Sequence, residues 1–511
     1  MEIQDPARRQ VLKSSAAVMA LGAIGSLGAL HSRQALAATD PARMAPIPSR
    51  YGPLAPVADS TTGLPLLQLP RGFKYRSFGW SGDRMDDGQA CPDRHDGMAV
   101  VGVRSSGRGR GKGRDHKRDE YVLIRNHERG AGSLIVAPGT YDSGDIGGGQ
   151  RAAGGTTTLT YRDGSWGDLE PSLGGTLVNC AGGPTPWGSW LSCEEIKTDQ
   201  VSSTGRRHGY VFEVNAQSER TTGRPIVDMG RFSHEAVAVD PHTGIVYLTE
   251  DDRNKSGLYR FIPHDRSGRA GSLEHGGRLQ AARVRGQANA DLITASIGNE
   301  YTLEWVDVHD PDLDTIVAPA GFPDIAAGDT LSGTFAQAWS SGGLRMSRGE
   351  GIWYSYGKMF IVDTSTGVDD RGRRGRGNGA VWVLDLFTQR LRALFVSGNE
   401  LAANNPDNVT VSARGGVLLC EDGGNSPDEY GPGARLVGLT RGGESYYFAK
   451  NNVQLTSQEI GNAGKTVAEG DYRGSEFCGA CWDPVARTLF VNIQSPGITL
   501  AIEGPWARGP L

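Results

Sequence analysis

Short apolar runs that alternate with turns occupy most of this chain, and they constrain its fold more than any other feature. The runs are rich in β-branched and aromatic residues, as in Gly209-Tyr-Val-Phe-Glu-Val214 and Ile245-Val-Tyr-Leu-Thr249, which is the composition of β-strands. Glycine makes up 74 of the 511 residues, about twice its usual share, and is spread along the whole chain. Long amphipathic helical periodicity is nearly absent. The sequence therefore predicts an all-β protein with many tight turns.

A strand–turn–strand phrase recurs along the chain. Val239-Asp-Pro-His-Thr-Gly-Ile-Val-Tyr247 and Trp482-Asp-Pro-Val-Ala-Arg-Thr-Leu-Phe490 both place the turn at Asp-Pro, and 382–391 is a looser variant. Recurring hairpins in one chain are typical of the blades of a β-propeller. A β-sandwich is the alternative, but the strand pattern runs from about residue 120 almost to the C-terminus. We therefore predict a β-propeller.

The N-terminus carries the pattern of an export signal. Arg8 and Arg9, followed by Lys13, precede a weakly apolar stretch at 14–30, and small residues at 35–37 offer a cleavage site. The paired arginines predict a Tat signal, with the Tat machinery as partner and a periplasmic or secreted product. A membrane anchor is the alternative, but the stretch is weakly apolar, and no later segment approaches the ~20 apolar residues of a spanning helix. The predicted organisation is a signal peptide at 1–37 and a single domain at 38–511.

Charge and cysteine content narrow the function classes. The formal net charge of −5 argues against nucleic acid as the main partner. Two basic glycine-rich segments, 105–117 and 369–378, are interpreted as solvated insertions with at most a modest attraction for anions. The six cysteines could form disulfides in an exported protein or lie buried as small apolar residues, and the pairing stays open. They are Cys91, Cys180, Cys193, Cys420, Cys478 and Cys481.

Acidic residues stand where several apolar runs end. Equivalent positions on different blades converge near the central channel of a propeller, and carboxylates that meet there repel one another unless they are protonated or metal-bound. Oxygen ligands in number suit Ca²⁺, and ferric iron also accepts carboxylates. The alternative is that each carboxylate simply ends its strand in water. The strand-end residues are Glu128, Glu194, Glu195, Glu250, Asp251, Glu421 and Asp422.

Arg348-Gly-Glu350 is a second candidate for chemistry. Residues i and i+2 of a strand share a face, so Arg348 and Glu350 should point the same way. An arginine beside a metal-ligating carboxylate suits phosphate recognition, and a surface ion pair is the alternative. No G-x-S-x-G elbow, P-loop or H-E-x-x-H motif occurs in the sequence.

These residues resemble the PhoX family of alkaline phosphatases, and the resemblance covers nearly all of the chain after the signal. Its most specific part is the phrase from Asn179-Cys-Ala-Gly-Gly-Pro to Leu191-Ser-Cys-Glu-Glu195. The other matching segments are Asn126-His-Glu128, Gly154-Gly-Thr-Thr-Thr-Leu159, Ser233-His-Glu235, Tyr247-Leu-Thr-Glu-Asp251, Arg348-Gly-Glu350 and Cys420-Glu-Asp422.

The resemblance implies a six-bladed propeller that binds two oxygen-bridged Fe³⁺ ions and two or three Ca²⁺ ions. By this analogy Cys180 gives a thiolate to iron, and Arg348 holds the phosphate. The implied carboxylates of the iron site are Glu195, Glu235 and Glu350. Glu194 could replace Glu195, because neighbouring residues of a strand point to opposite faces. The implied calcium ligands are Glu128, Glu250, Asp251, Glu421 and Asp422.

We therefore expect an exported, monomeric, metal-dependent phosphomonoesterase that releases inorganic phosphate from organic phosphate esters and serves phosphate acquisition. One alternative is another calcium-dependent propeller hydrolase, such as a phosphodiesterase or a lactonase. The other is a non-catalytic binding propeller that calcium stabilises.

Overall fold

The computed structural model describes residues 45–105, 119–425, 427–440 and 444–511. The described residues are almost entirely strands and turns. The two α-helices among them are short, at Gly333–Ser340 and Ser457–Asn462, and four 3₁₀ turns lie at Ser218–Arg220, Val227–Met229, Ser272–His275 and Trp506–Arg508. The all-β prediction is therefore confirmed. The predicted signal peptide at 1–37 and nearly all of the basic segment at 105–117 lie outside the described residues. None of the described helices is long or apolar enough to cross a membrane.

The strands form six sheet units in chain order. Unit 1 contains His95–Ser105, Asp119–His127, Gly154–Arg162 and Ser165–Thr176, with Gly139–Thr140 at its edge. Unit 2 contains Asn179–Pro184, Ser189–Glu194 and Val211–Asn215. Unit 3 contains His234–Val239, Val246–Glu250, Leu258–Pro263, Gly277–Val284 and Glu300–Asp307. Unit 4 contains Gly349–Ser355, Lys358–Asp363, Ala380–Asp385 and Arg390–Val396.

Units 5 and 6 recruit strands from the N-terminal part of the chain. Unit 5 contains Pro406–Val411, Val417–Glu421, Arg435–Leu439 and Ser445–Asn451, extended by Leu67–Pro70 and Leu54–Val57. Unit 6 contains Phe477–Trp482, Thr488–Ile493 and Ile498–Glu503, and Lys74–Phe78 is its outermost strand. Shorter strand pairs lie at Ala131–Gly132 with Arg151–Ala152, Ile316–Val317 with Thr330–Leu331, and Gln454–Leu455 with Gly470–Asp471. The N-terminal strand of unit 6 joins the start of the described chain to its end.

The first strands of the six units pack side by side in a ring, each against the first strand of the next unit, and the last against that of unit 1. Buried apolar side chains then fill the space between neighbouring units: Leu191 of unit 2 clusters with Leu248 of unit 3, and Val381 of unit 4 with Val437 of unit 5. This is the propeller arrangement that the sequence predicts. The number of blades stays a prediction, because units 3 and 4 are joined edge to edge in one nine-stranded sheet.

Candidate metal centre

The first strand of every unit carries a β-bulge at the same place, where two of its residues oppose one on the second strand. In unit 2, for example, Asn179 pairs with Glu194 and Gly182 with Ser192. A bulge of this kind re-aims a side chain without ending the strand. The first extra residues of the six bulges are Asp96, Cys180, Glu235, Glu350, Asp407 and Gly479. Five of these six equivalent positions therefore carry a side chain that can bind a metal ion.

Gly479 fills the sixth position because its backbone is crowded. Its φ of +61° is in the left-handed region, and a Cβ would lie 2.6 Å from the carbonyl oxygen of Asp96 and 2.7 Å from the amide nitrogen of Met98. Its N–H donates to Oδ1 of Asn408 at 2.8 Å. Glycine thus lets the first strands of units 5, 6 and 1 approach closely enough to close the ring.

Three groups of ligand atoms lie at these bulges, and within each group the atoms are all within 4.8 Å of one another. The groups are Cys180 with Glu195 and Glu235, Glu235 with Glu350 and Asp407, and Asp96 with Glu128 and Glu476. Glu235 belongs to two of them, so those two groups share a carboxylate. Of the residues that the sequence singled out, the structure brings Cys180, Glu128, Glu195, Glu235 and Glu350 into these groups.

Three buried oxygens of the groups lack partners among the described residues. Both carboxylate oxygens of Glu235 and Oδ1 of Asp96 are fully buried, and they have no hydrogen-bond partner among the described residues. Buried polar atoms are nearly always satisfied in native proteins, so these three oxygens point to a group that the protein chain does not supply. The donors around them are carboxylates and a thiol, which suits a metal cation.

Electrostatics lead to the same conclusion. Burial raises the pKa of the Glu235 carboxyl well above its usual value, and the carboxylates of Glu350, Asp407 and Glu195 raise it further. Burial likewise raises the pKa of the Cys180 thiol, with added effects from Asp96 and Glu235. These surroundings favour the neutral, protonated forms of both groups. A bound cation would reverse this preference, because it stabilises the charged forms.

Neighbouring residues at the strand ends point in opposite directions. Glu195 lies in the first group, whereas Glu194 accepts hydrogen bonds within its own part of the fold, from Leu177 N at 2.7 Å and Gly209 N at 2.7 Å, and pairs with Nδ1 of His208 at 2.6 Å. In this structure it is Glu195, and not Glu194, that lies at the centre.

The same alternation turns two other predicted calcium ligands away from the centre. Glu250 accepts from Gly257 N at 3.0 Å, Tyr259 OH at 2.6 Å and Ser332 OH at 2.6 Å. Glu421 binds the buried guanidinium of Arg435 at 2.6 and 2.9 Å. Both carboxylates lie outside the three groups and are fully used within the fold. Asp422, the residue after Glu421, is exposed and also lies outside the groups.

Arg348 lies beside the second group. Its Nε and Nη2 donate to the two carboxylate oxygens of Asp251 at 2.8–3.1 Å, and Nη2 is 3.0 Å from Oε1 of Glu350. Its φ of +65° is unusual for a non-glycine residue, and strained backbone of this kind is concentrated at functional sites. The side chain is 28% exposed, and Nη1 has no partner among the described residues. Arg348 thus presents a free N–H face next to the ligand groups.

Asp96, Asp407 and Glu476 were not identified from the sequence. The sequence pattern marks acids where the chain leaves a strand, whereas these three stand where the chain enters one. The spacing between the bulge residue and the acid after the second strand would have found Asp407. Cys180 precedes Glu195 by 15 residues, and Asp407 precedes Asp422 by the same number. In both units a bulged strand, a turn and a second strand lie between the members of the pair. Glu476 has a further link to its group: Gln494 donates to both Glu476 and Glu128.

All six cysteines are buried and free. The disulfide alternative is therefore wrong for this structure, and the buried alternative holds. Cys180 differs from the others because it is the one within a described ligand group.

The fold and this centre define a propeller-type protein with a carboxylate- and thiol-lined ring at its axis. The chain matches the sequence profile of the family described as alkaline phosphatase PhoX over residues 49–171 and 167–497. The chain belongs to this family, and it is a phosphoric monoester hydrolase of the alkaline phosphatase type.

The comparison with solved structures supports the fold through one phosphatase structure. PhoX from Pseudomonas fluorescens in complex with vanadate, a transition state analogue, superimposes with a TM-score of 0.59 at 17% identity, covering 90% of this chain and 98% of that one. A gluconolactonase from Xanthomonas campestris gives a TM-score of 0.34 at 10% identity, with coverage of 90% and 99%. Virginiamycin B lyase from Staphylococcus aureus gives 0.34 at 11% identity, with coverage of 84% and 99%. No curated protein sequence matches the chain.

Proposed function

We propose that this phosphatase binds its metal ions in the three ligand groups and holds the phosphate of its substrate with Arg348. The observation that carries the proposal is Glu235, which belongs to both the Cys180 group and the Glu350 group and whose two buried oxygens have no hydrogen-bond partner among the described residues. A buried carboxylate in that position is stable only when it is protonated or bound to a cation.

The donor sets differ, and they suggest different metals. Cys180, Glu195 and Glu235 combine a thiolate with carboxylates, a donor set suited to iron. Asp96, Glu128 and Glu476 offer oxygen alone, which suits calcium. The shared carboxylate of Glu235 would join the thiolate-containing group to the Glu350 and Asp407 group. Bound there, metal ions would polarise the phosphoryl group and offset the charge that develops during hydrolysis.

Arg348 is positioned to bind and orient the phosphate. Asp251 holds the guanidinium through a bidentate contact, which fixes its plane and leaves Nη1 free to donate to a phosphoryl oxygen. An N–H donor aimed at a developing negative charge stabilises the transition state more than the ground state. Glu350 pairs with the same guanidinium and belongs to the second group. Glu350 would therefore hold the Arg348 guanidinium at a fixed place relative to the metal ions.

Two measurements on the purified protein test this proposal. One is the hydrolysis of p-nitrophenyl phosphate before and after treatment with a chelator, and the other is elemental analysis of the bound metals. We expect activity that depends on metal, with both iron and calcium present. A calcium-dependent protein that contains no iron and cleaves only diesters or lactones would support the rival propeller hydrolase. A calcium-binding protein without hydrolytic activity would support a binding propeller. Size-exclusion chromatography with light scattering tests the proposed monomer in the same preparation.

We also propose that the chain is exported through the Tat pathway. The support is Arg8-Arg9 ahead of a weakly apolar stretch and a small-residue cleavage site. Replacing both arginines by lysine keeps the charge but removes the pair that the Tat pathway reads. We expect the variant to remain in the cytoplasm, while the unaltered chain reaches the periplasm or the medium. Equal export of both proteins would overturn the assignment.

A further inference from the structure

The basic loop Asp369–Asn378, which the sequence presents as a solvated insertion, is fixed to the rim of the site. The Asp369 carboxylate accepts from the backbone N–H groups of Arg371 at 3.0 Å and Arg373 at 2.8 Å. Arg374 binds Asp291 at 2.7 Å and Asp324 at 2.8 Å. The loop therefore has a defined position relative to the metal centre.

Two of the four arginines in this loop are used to hold it in place. The side chain of Arg373 binds Asp369 at 2.7 Å, and Arg374 makes the two ion pairs above. Arg371 and Arg376 are exposed, and in the part of the chain that the structure describes, no carboxylate forms an ion pair with either side chain. Arg376 has a link to Arg253: it directly follows Gly375, whose carbonyl oxygen accepts a hydrogen bond from Arg253.

Arg253 is a cation that neutral groups hold in place. Its Nη1 donates to the hydroxyl of Ser365 at 2.9 Å and to the carbonyl of Gly375 at 2.9 Å, so two neutral groups hold it. Its Nε and Nη2 have no partner among the described residues, and no described carboxylate pairs with it. The side chain is partly buried. Asp251 and Glu350 attract this charge from beyond ion-pair distance, but its Nε and Nη2 stay open to an anion that would pair with it directly.

Arg253 also lies next to Arg348. It follows Asp251, the partner of Arg348, by two residues, and the N–H of Thr364, next to Ser365, donates to the carbonyl of Arg348 at 3.0 Å. Burial lowers the pKa of Arg253, repulsion from Arg348 and Arg376 lowers it further, and the carboxylates of Asp251 and Glu350 offset part of this effect. Three guanidinium groups thus share one rim of the site.

We propose that Arg253 and Arg376 form a second anion subsite beside Arg348, which binds an anionic substituent on the leaving group of the phosphate ester. The substrate class is then phosphomonoesters that carry a second phosphate or a comparable anion. This inference rests on the proposed function, in which Arg348 holds the phosphate that is hydrolysed. The free Nε and Nη2 of Arg253 form the fork that binds phosphate oxygens bidentately, and Arg376 adds a second cation from the loop.

A matched pair of substrates tests the subsite. 1,3-Propanediol bisphosphate and 3-hydroxypropyl phosphate differ only in the second phosphate, so their kcat/KM ratio measures its recognition. In the metal-loaded enzyme at physiological salt, we expect Arg253→Gln to lower kcat/KM for the bisphosphate by about tenfold, the loss of about 1.4 kcal/mol of binding. Arg376→Gln should lower it by several-fold. Neither variant should change kcat/KM for the hydroxypropyl ester by more than about twofold, because that ester does not reach the subsite.

Arg371→Gln is the matched control, because it removes one exposed charge from the same loop away from Arg253. It should leave the substrate ratio unchanged. Equal losses on both esters in Arg253→Gln would overturn the subsite, since Arg253 would then act on the transferred phosphate or on the fold. Unchanged kinetics on the bisphosphate in Arg253→Gln and Arg376→Gln would overturn it as well. If the unaltered enzyme hydrolyses neither ester, the proposed function itself is wrong.

Discussion

Cys180 and Glu235 occupy the same bulge position in neighbouring sheet units, and their ligating atoms lie within 4.8 Å of each other. The repeated bulge gives each unit one side chain that faces the ring, and the type of side chain is free to vary. The centre is therefore built by repeating one backbone feature, with a thiol at one position, carboxylates at four and glycine at the sixth.

Cys180→Ala tests the thiolate ligand. We expect the variant to lose its iron and keep calcium, because the all-oxygen group of Asp96, Glu128 and Glu476 does not include the thiol. Elemental analysis of the purified proteins measures both metals. Cys193→Ala is the control, since Cys193 is also buried but packs in an apolar cluster. Full iron content in Cys180→Ala would refute the ligand assignment.

Arg348→Ala should lower kcat/KM for p-nitrophenyl phosphate by about 100-fold, the scale of losing one donor to a developing charge. Metal content should stay the same, because Arg348 is not in a ligand group. Arg390→Ala, which removes an arginine from an exposed ion pair with Glu300, should have no effect. Activity in Arg348→Ala equal to that of the unaltered enzyme would show that another residue holds the phosphate.

Gly479→Ala tests the closure of the ring. The new Cβ would lie 2.6 Å from the carbonyl oxygen of Asp96, in a left-handed backbone conformation, so we expect a loss of about 2 kcal/mol or more in unfolding free energy. Gly461→Ala is the control: this helical glycine has open space around its Cβ position, and alanine there should stabilise by about 0.5–1 kcal/mol. Denaturant unfolding measures both changes. A neutral Gly479→Ala would mean that the ring does not need glycine at this position.

His208 gives the fold a dependence on pH. Burial acts to lower its pKa, but the carboxylates of Glu194 and Asp142 outweigh that effect and raise it. A pKa raised in the folded state means that the stabilisation is fully present below the unfolded value of about 6.5 and is lost as pH rises through the folded value. His208→Gln should therefore cost about 3 kcal/mol at pH 6 and clearly less at pH 10. Denaturant unfolding at the two pH values checks this, and an equal cost at both would contradict it.

Much of the fold could be read from the chain because it depends on local patterns. The Asp-Pro hairpins at 239–247 and 482–490 are local in sequence, and both form as antiparallel strand pairs. The outermost strand of unit 6 could not be anticipated in this way. Lys74–Phe78 pairs with Ile498–Glu503, and no local signal links segments so distant in the sequence.

Only part of the site could be predicted from the sequence, because the direction of a strand-end side chain depends on partners that are distant in the sequence. The alternation of side chains along a strand implied that one of Glu194 and Glu195 faces inward, but it could not say which. That choice depends on the hydrogen-bond donors that surround Glu194, including Gly209 N and His208, which come from the next strand connection. For Glu250 and Glu421 the sequence suggested metal ligands, whereas partners such as Tyr259 and Arg435 use their oxygens within the fold.

Metal content and activity of Glu235→Gln, compared with Glu250→Gln, test the central claim most directly. Glu235 faces the ring and is shared by two ligand groups, whereas Glu250 is buried one strand away and hydrogen-bonded within the fold. The account predicts that Glu235→Gln loses iron and nearly all hydrolysis of p-nitrophenyl phosphate, while Glu250→Gln keeps its metals and most of its activity. Full metal content and activity in Glu235→Gln would contradict it.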